Sequence, residues 1–511
     1  MNNIIYNYTT YIAEDMRNTV TAAILYNYVQ CPRRVQLDFL GPPSKKNRVS
    51  AFVRLLWERG NAFEHETMGK LDEPFADLRS LKLREKEQQT LRMMRLGEKI
   101  IYGGRIRTDT LVGEPDLLVR KGSGYVAGDI KSGAGIESPD DESGGKLKLH
   151  YAVQLALYTD ILGQLGSLTR NHFPFIWDAH GQEIDYDLDT SISKRDNRSL
   201  WNLYEECLDA VNGIKRREQE PLAAFCSVCK LCHWRSHCRA QLKQDDDLTL
   251  IPELGRAKRD AIYPHRKTVH DLAQADLTGI VHGKKTIFPR ISAKTIRRFQ
   301  ARAGLLARPG SQPYLKEPIT LSDADIELFF DVETDPMRDC CYLHGFIEHN
   351  RLKPDEETYH AFFADQPTEQ QERNAFDQAI NFLRSLDAYV IYYYSHYERT
   401  TLRKLQKRFP DVASEEEIEN LFSPSVAVDL YTDVVRKKTE WPTNDYSIKT
   451  LATYLGFKWR DKEPSGAASI EWYHRWVETQ DSRLRQRILD YNEDDCIAMR
   501  VLLDALRGMA K

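Results

Sequence analysis

Two stretches of this chain place carboxylates at spacings suited to holding a divalent cation. In the first, GEPDLLVRKGSGYVAGDIKSG, Asp116 closes a Glu-Pro-Asp step, and Asp129 and Lys131 follow on an apolar run 13 residues further on. Positions i and i+2 of a strand face the same side, so Asp129 and Lys131 project together, with Asp116 on the neighbouring hairpin strand. Carboxylate oxygens of this kind hold Mg²⁺ or Mn²⁺. Such a cation makes a nucleophile of bound water and neutralises charge developing on a phosphate. A lysine ammonium steadies phosphoryl oxygens as a point charge. Asp-x-Lys alone recurs by chance. The ordered set of Glu-Pro-Asp, glycine-rich turn and apolar-Asp-apolar-Lys is far more specific, and it points to phosphodiester hydrolysis. The segment LHYAVQLALYTDILGQLG then brings Gln154 and Tyr158 to one helix face at i and i+4.

The second stretch, DADIELFFDVETDP, is an alternating apolar run ending in Asp331-Val-Glu333, again two carboxylates on one strand face. Near the carboxyl end, RILDYNEDDCIAMRVLLDAL sets Tyr491 and Asp495 one turn apart on an amphipathic helix. Between them, AYVIYYYSHYERTTLRKL reads as a buried strand and a helix start with Glu398 at the junction, and VAVDLYTDVV offers Asp429. Asp331 and Glu333 alone fit an ordinary strand end. With carboxylates from two later elements they form a two-metal constellation, its cations about 4 Å apart across an in-line displacement.

Thiols supply a third grouping. CSVCKLCHWRSHC is dense in cysteine, and Cys229, Cys232 and Cys238 give three ligands with a fourth needed from elsewhere. Cys31, in AAILYNYVQCPRRVQLDFL, precedes the first carboxylate motif while the triplet follows it, so the four would close that region as a clasp. Tetrahedral zinc and an iron–sulfur cluster both suit four thiolates. Cys226 competes with Cys229 for a place in the set, and Cys207, Cys340, Cys341 and Cys496 read as packing residues.

Residues 20–240 resemble the RecB-like PD-(D/E)XK nucleases with an AddB-type iron–sulfur clasp, a group that includes the CRISPR adaptation nucleases. Cys31, Cys229, Cys232 and Cys238 match the clasp. Asp116, Asp129 and Lys131 match the catalytic motif, and Gln154 and Tyr158 match QxxxY. The resemblance implies a 4Fe-4S cluster, with zinc as the alternative, and an acidic metal ligand at Glu64 where relatives often have histidine. Residues 320–511 resemble the RNase H-like exonucleases of the DEDD type, closest to the YprB-like domain. There Asp331, Glu333 and Asp495 match metal-binding motifs, and Tyr491 matches the water-positioning tyrosine. Glu398 stands where the family has aspartate, and Lys449, in NDYSIKTLATYLGF, matches a stretch that contacts phosphate.

The elements that must position these residues are those of two α/β domains: a PD-(D/E)XK restriction-endonuclease-like domain at 1–240 and an RNase H-like 3′–5′ exonuclease-type domain at 321–511, with a helical connector at 241–320. A length of 511 residues agrees with more than one core. The Gly/Pro-rich ARPGSQPYLKEP reads as a linker. Net charge is −4, unpromising for a nucleic-acid enzyme, but KKTIFPRISAKTIRRFQARAGLLAR is a basic tract that reads as a solvated helix face or a phosphate-contacting surface. No run of roughly 18 apolar residues suggests a membrane span. The amino terminus lacks the pattern of a secretory leader, so a cytoplasmic protein is expected. The expected partner is DNA, as single strands or duplex ends, with RNA and a helicase or recombination protein as further candidates. The alternative is a nucleic-acid-binding protein whose RNase H-like half is inactive and holds single-stranded ends.

Overall fold

The computed structural model describes residues 19–137, 145–169, 171–194, 196–321, 324–353 and 356–510; the amino-terminal segment read above for a leader lies outside them. The chain divides into two compact units, residues 1–223 with 227–239, and residues 224–226 with 240–511. No helix among the described residues is long and apolar enough to cross a membrane.

In the first unit, helices α1 (Ala22–Gln30), α2 (Pro32–Leu40) and α3 (Ala51–Gly69) precede a six-stranded mixed sheet. Its strands are β1 (Ala76–Asp77), β2 (Ile100–Tyr102), β3 (Leu117–Lys121), β4 (Gly124–Ile130), β5 (Phe175–Trp177) and β6 (Glu183–Asp185), and they lie side by side in that order. β3 and β4 form the antiparallel hairpin that the Gly-rich turn demands, while β4 and β5 run parallel across a crossover. That crossover carries helix α4 (Leu149–Gln164), whose apolar residues are buried on all sides, which is why its sequence reads as nearly continuous hydrophobicity. β4 is buried at every position. Gly128 on it admits the Phe175 ring, which an added Cβ would meet at 2.4 Å. Helix α5 (Leu200–Lys215) closes the core through Tyr204, Cys207 and Val211.

The second unit begins with short helices and helix α6 (Ala293–Ala307), amphipathic with Ile296, Phe299 and Arg302 buried. Its main body is a five-stranded sheet of β7 (Ile326–Asp335), β8 (Cys340–Asn350), β9 (Glu357–Phe363), β10 (Val390–Tyr393) and β11 (Ala427–Asp429), in the order β9-β8-β7-β10-β11. The first three form an antiparallel meander, and β10 and β11 add in parallel. Helices α7 (Tyr397–Arg408), α8 (Ile448–Tyr454), α9 (Gly466–Thr479) and α10 (Ser482–Ala510) follow. α9 and α10 pack through Trp472, Tyr473 and Tyr491.

The stretch 307–318, expected as a linker, is a loop only in its first half. Tyr314 and Leu315 pair antiparallel with Glu440 and Thr439. The cause is a buried ion network: Glu440 receives Arg302 at 2.7 Å and Lys316 at 2.9 Å. Proline and glycine there mark the turn into a strand rather than a free tether.

Candidate metal centres

In the first unit the β3–β4 hairpin interlocks Asp116 and Asp129. The backbone N–H of Asp116 donates to Asp129 Oδ1 at 3.2 Å, and that of Ile130 donates to Asp116 Oδ2 at 2.8 Å. Lys131, just past β4, places its Nζ 2.9 Å from Asp129 Oδ2 and 3.9 Å from Asp116 Oδ2. Burial and the charge of Asp129 push the Asp116 carboxyl up to about 8, against the opposing pull of Lys131. Burial alone would lower Lys131, but Asp129 and Asp116 override it and hold the ammonium firmly protonated. Two carboxylates that resist sharing a pocket without more positive charge are what a cation relieves.

Helix α4 lays Gln154 and Tyr158 alongside, the Gln154 amide donating to Tyr158 Oη at 3.0 Å and that hydroxyl donating to the Glu114 carbonyl at 3.4 Å. Tyr158 comes this close because Gly113 has no side chain, since an added Cβ would meet its ring at 2.6 Å. Glu64, on α3, adds its charge at Asp116 and at Tyr102. It does not gather with Asp116 and Asp129 into a close set of three. His65, the residue after Glu64, faces Arg79, 3.4 Å away.

Cys31 sits between α1 and α2, capping one and preceding the other. Cys229 lies in a short 3₁₀ turn, Cys232 just after it, and Cys238 on the helix Arg235–Gln244. All four are half-buried and outside any disulfide. The two cysteine-bearing segments are joined without any metal. Asp38 on α2 accepts from His233 at 2.7 Å, Trp234 Nε1 at 3.0 Å and Lys46 at 3.1 Å. Asn47 and Ser236 exchange two hydrogen bonds at 2.9 and 3.0 Å. Burial would raise Asp38, but His233, Trp234 and Lys46 bring its carboxyl down to about 2. Cys226 belongs to the second unit, where Arg256 donates to its sulfur at 3.7 Å. Cys207, Cys340, Cys341 and Cys496 are buried.

In the second unit β7 delivers Asp331 and Glu333, and α10 delivers Asp495. Ligand oxygens of the three lie within 4.8 Å of one another, the one such acidic, histidine or cysteine group among the described residues. Each carboxylate has its own positioning donor. Asn492 Nδ2 reaches Asp331 Oδ2 at 2.7 Å, and Tyr359 fixes that amide by donating to Asn492 Oδ1 at 2.8 Å. The Tyr342 hydroxyl contacts Glu333 at 3.3 Å and Ser469 on α9 at 2.7 Å. Trp459 Nε1 donates to Asp495 Oδ1 at 2.7 Å. Lys449 on α8 donates to Asp495 at 2.9 and 3.1 Å and to Tyr491 Oη at 2.8 Å. Burial, then the charges of Asp495 and Glu333, drive Asp331 well above the carboxylate range, and burial with Asp495 drives Glu333 up to about 8.

Glu398, in the first turn of α7, is buried beside this set, and its Oε2 accepts no hydrogen bond among the described residues. Burial, together with Asp429 and Asp495, holds it well above the ordinary range. It stands outside the close trio, and its charge reaches Asp331. Asp429 accepts from the backbone N–H of Ser395 and Thr432, a capping role. Tyr392 and Tyr393 are buried strand residues, as expected, and Tyr394 donates to the Tyr446 carbonyl. On the basic tract, Lys284, Lys285, Arg290, Lys294 and Arg297 are exposed. Arg302 is consumed in the ion network under α6.

Asn492, Trp459, Tyr342 and Ser469 were not foreseen. Asn492 had a signal, since it directly follows Tyr491 inside the YNEDD string. The other three lie outside the carboxylate motifs and reach the site only through the fold. Comparison with known families fits this geometry. The PD-(D/E)XK nuclease superfamily profile matches residues 23–239, and the RNase H superfamily profile matches residues 328–507. No curated protein matches the chain.

Proposed function

We propose that this chain, which carries a PD-(D/E)XK nuclease superfamily domain and an RNase H superfamily domain, is a two-centred nuclease that hydrolyses DNA phosphodiester bonds with Mg²⁺ or Mn²⁺. The observation that carries the reading is that Asp116 and Asp129 in one domain, and Asp331, Glu333 and Asp495 in the other, come together with a lysine on them.

In the first centre, Asp116 and Asp129, with Glu64 contributing from α3, would hold the cation. Bound there, the cation supplies an activated water and charge neutralisation at the phosphate. Lys131 stays protonated and offers its ammonium to the phosphoryl oxygens, while Gln154 and Tyr158 shape the wall of the pocket. In the second centre, Asp331, Glu333 and Asp495 would hold cations, with Glu398 supplying the fourth carboxylate and Tyr491 orienting the attacking water. This centre would trim strands from the 3′ end. Cys31, Cys229, Cys232 and Cys238 would hold a structural 4Fe-4S cluster, zinc being the alternative; what supports this is that their two segments are stapled through Asp38, while no three of their sulfurs lie within 4.8 Å of one another. Recombination, repair or defence, beside a helicase or recombination protein, would use such an enzyme.

The test is cleavage of end-labelled single-stranded DNA with Mn²⁺, by protein purified without oxygen. Wild type is compared with Lys131→Ala and Asp331→Ala. A partial loss in each variant, the other centre still cutting, is the expected result. Loss in Lys131→Ala alone leaves the first centre as the nuclease and makes the RNase H-like half a binder of single-stranded ends. A wild type that cleaves neither DNA nor RNA refutes the enzyme reading. Iron content and visible charge-transfer absorbance separate the cluster from zinc.

A further inference from the structure

Lys449 is the one cation hydrogen-bonded to the Asp331, Glu333 and Asp495 trio among the described residues. Its Nζ spans both oxygens of Asp495, at 3.1 and 2.9 Å, and also holds the Tyr491 hydroxyl at 2.8 Å. The same ammonium lies over the Tyr491 ring, 4.8 Å from its centroid. Trp459 donates to Asp495 Oδ1 as well, so that oxygen is already held by a neutral donor when the lysine leaves. Lys449 sits in the first turn of α8, whose start is capped by Ser447, and its side chain remains about a third exposed, so it has solvent to move into.

A divalent cation needs Asp495 through the same oxygens that Lys449 occupies. Two positive charges cannot share that carboxylate at contact distance without cost. We infer that Lys449 is a resident counter-ion of the second centre: it neutralises Asp495 in the cation-free protein, yields that carboxylate to the incoming cation, and retains Tyr491. The inference rests on the metal-dependent reading above and adds a positioning residue to it. Lys449 thereby sets how tightly the centre holds its cation, and it fixes the tyrosine hydroxyl beside the trio.

The experiment measures Mn²⁺ affinity from the free-ion electron paramagnetic resonance signal, on the full chain. The parent carries Asp116→Asn and Asp129→Asn, so that the titration reads the second centre, and Asp331→Asn in that background marks the signal that disappears with the centre. Lys449→Gln keeps a donor for Asp495 and Tyr491 without the charge, and should bind Mn²⁺ about tenfold or more tightly than the parent. Lys449→Arg keeps the charge and should stay near the parent. Should Lys449→Gln fold only with cation present, a Mn²⁺-dependent rise in Tm larger than the parent's supports the inference equally. Unchanged or weaker binding in Lys449→Gln overturns the inference while leaving the metal-dependent reading intact. A parent that binds no more Mn²⁺ than its Asp331→Asn version overturns both.

Discussion

Gly345→Ala should disable the second centre without touching a carboxylate. Gly345 lies directly opposite Asp331 in the β7–β8 ladder. The space its side chain would fill belongs to Asn492: an added Cβ would lie 1.6 Å from Asn492 Oδ1 and 3.1 Å from Tyr359 Oη. Carbon and oxygen do not approach closer than roughly 3 Å without strong repulsion. Asn492 is fully buried, so the amide has nowhere to go but off Asp331. Leaving the buried Asn492 amide without its partner costs about 1–3 kcal/mol, and overpacking a buried site costs about 1–3 kcal/mol. The two together make about 4 kcal/mol, near the upper end for one substitution. For a unit of this size that is a fall of about 10 °C in the Tm of the second transition. The assay is differential scanning calorimetry beside DNA cleavage in a Lys131→Ala background, where cleavage should drop with the loss of Asp331 alignment. Asn492→Ala alone should lose the alignment with less instability. Adding it to Gly345→Ala should recover part of the lost Tm, because the clash partner is gone. A Gly345→Ala protein melting within about 2 °C of wild type, or a double variant as unstable as the sum of the singles, refutes the reasoning.

In the absence of divalent cations, stability of the second unit should fall as pH rises from 5 to about 8, because Asp331 and Glu333 are held above their ordinary values, Glu333 near 8, so the folded state keeps protons that the unfolded chain has already released. Stability is thus full below the unfolded carboxylate range and lost on the way to the folded pKa; Mn²⁺ at 100 times its Kd should restore about 2.7 kcal/mol, read by thermal melts with and without chelator. Asp38→Ala should strip Trp234 and His233 of their acceptor and loosen the Cys31 segment from the Cys229–Cys238 segment in chelator-treated protein, seen as loss of near-ultraviolet tryptophan dichroism that chelator-treated wild type retains. Lys284→Glu with Lys294→Glu should weaken DNA binding evenly across sequences and reduce the slope of log affinity against log salt by about one for each phosphate no longer neutralised, measured by fluorescence anisotropy.

The neighbour pairs within strands and helices were legible because periodicity places side chains by simple rules, whereas Glu64 and Glu398 stay outside the close sets. Asp129 and Lys131 had to share a strand face, and Gln154 had to meet Tyr158 one helical turn on, and both pairs meet at hydrogen-bonding distance. The fold class followed from the same patterns: an apolar hairpin and buried helix in one half, an alternating DxE strand and late amphipathic helix in the other. What was not legible depends on which residues meet across long separations. Nothing local in Gly345 announces that Asn492 needs its space, since the two meet only when α10 packs on β8. Trp459 and Tyr342 look like ordinary apolar residues in sequence, and their polar tips matter only because Asp495 and Glu333 lie beneath them. Segment 307–318 misled for a related reason, because its proline and glycine content describes a turn, while its strand half is dictated by Glu440 more than a hundred residues away.

Lys449 shows how far a motif and a geometry can differ in what they say. Its surroundings in sequence suggested a residue reaching out to phosphate, and a lysine in the first turn of a short helix is free to do so. The side chain instead turns inward, because a pocket with three carboxylates within 4.8 Å of one another attracts the nearest ammonium more strongly than solvent does. The same balance places Lys131 on Asp129 in the other unit. In both centres the lysine's position is set by the negative charge of its carboxylate neighbours, and a cation bound there, as proposed, would have to displace the lysine or share its carboxylate. Under that proposal a substrate phosphate entering with the cation would give the displaced ammonium a new negative partner, so the phosphate contact suggested by the motif and the Asp495 contact would be successive states of one side chain.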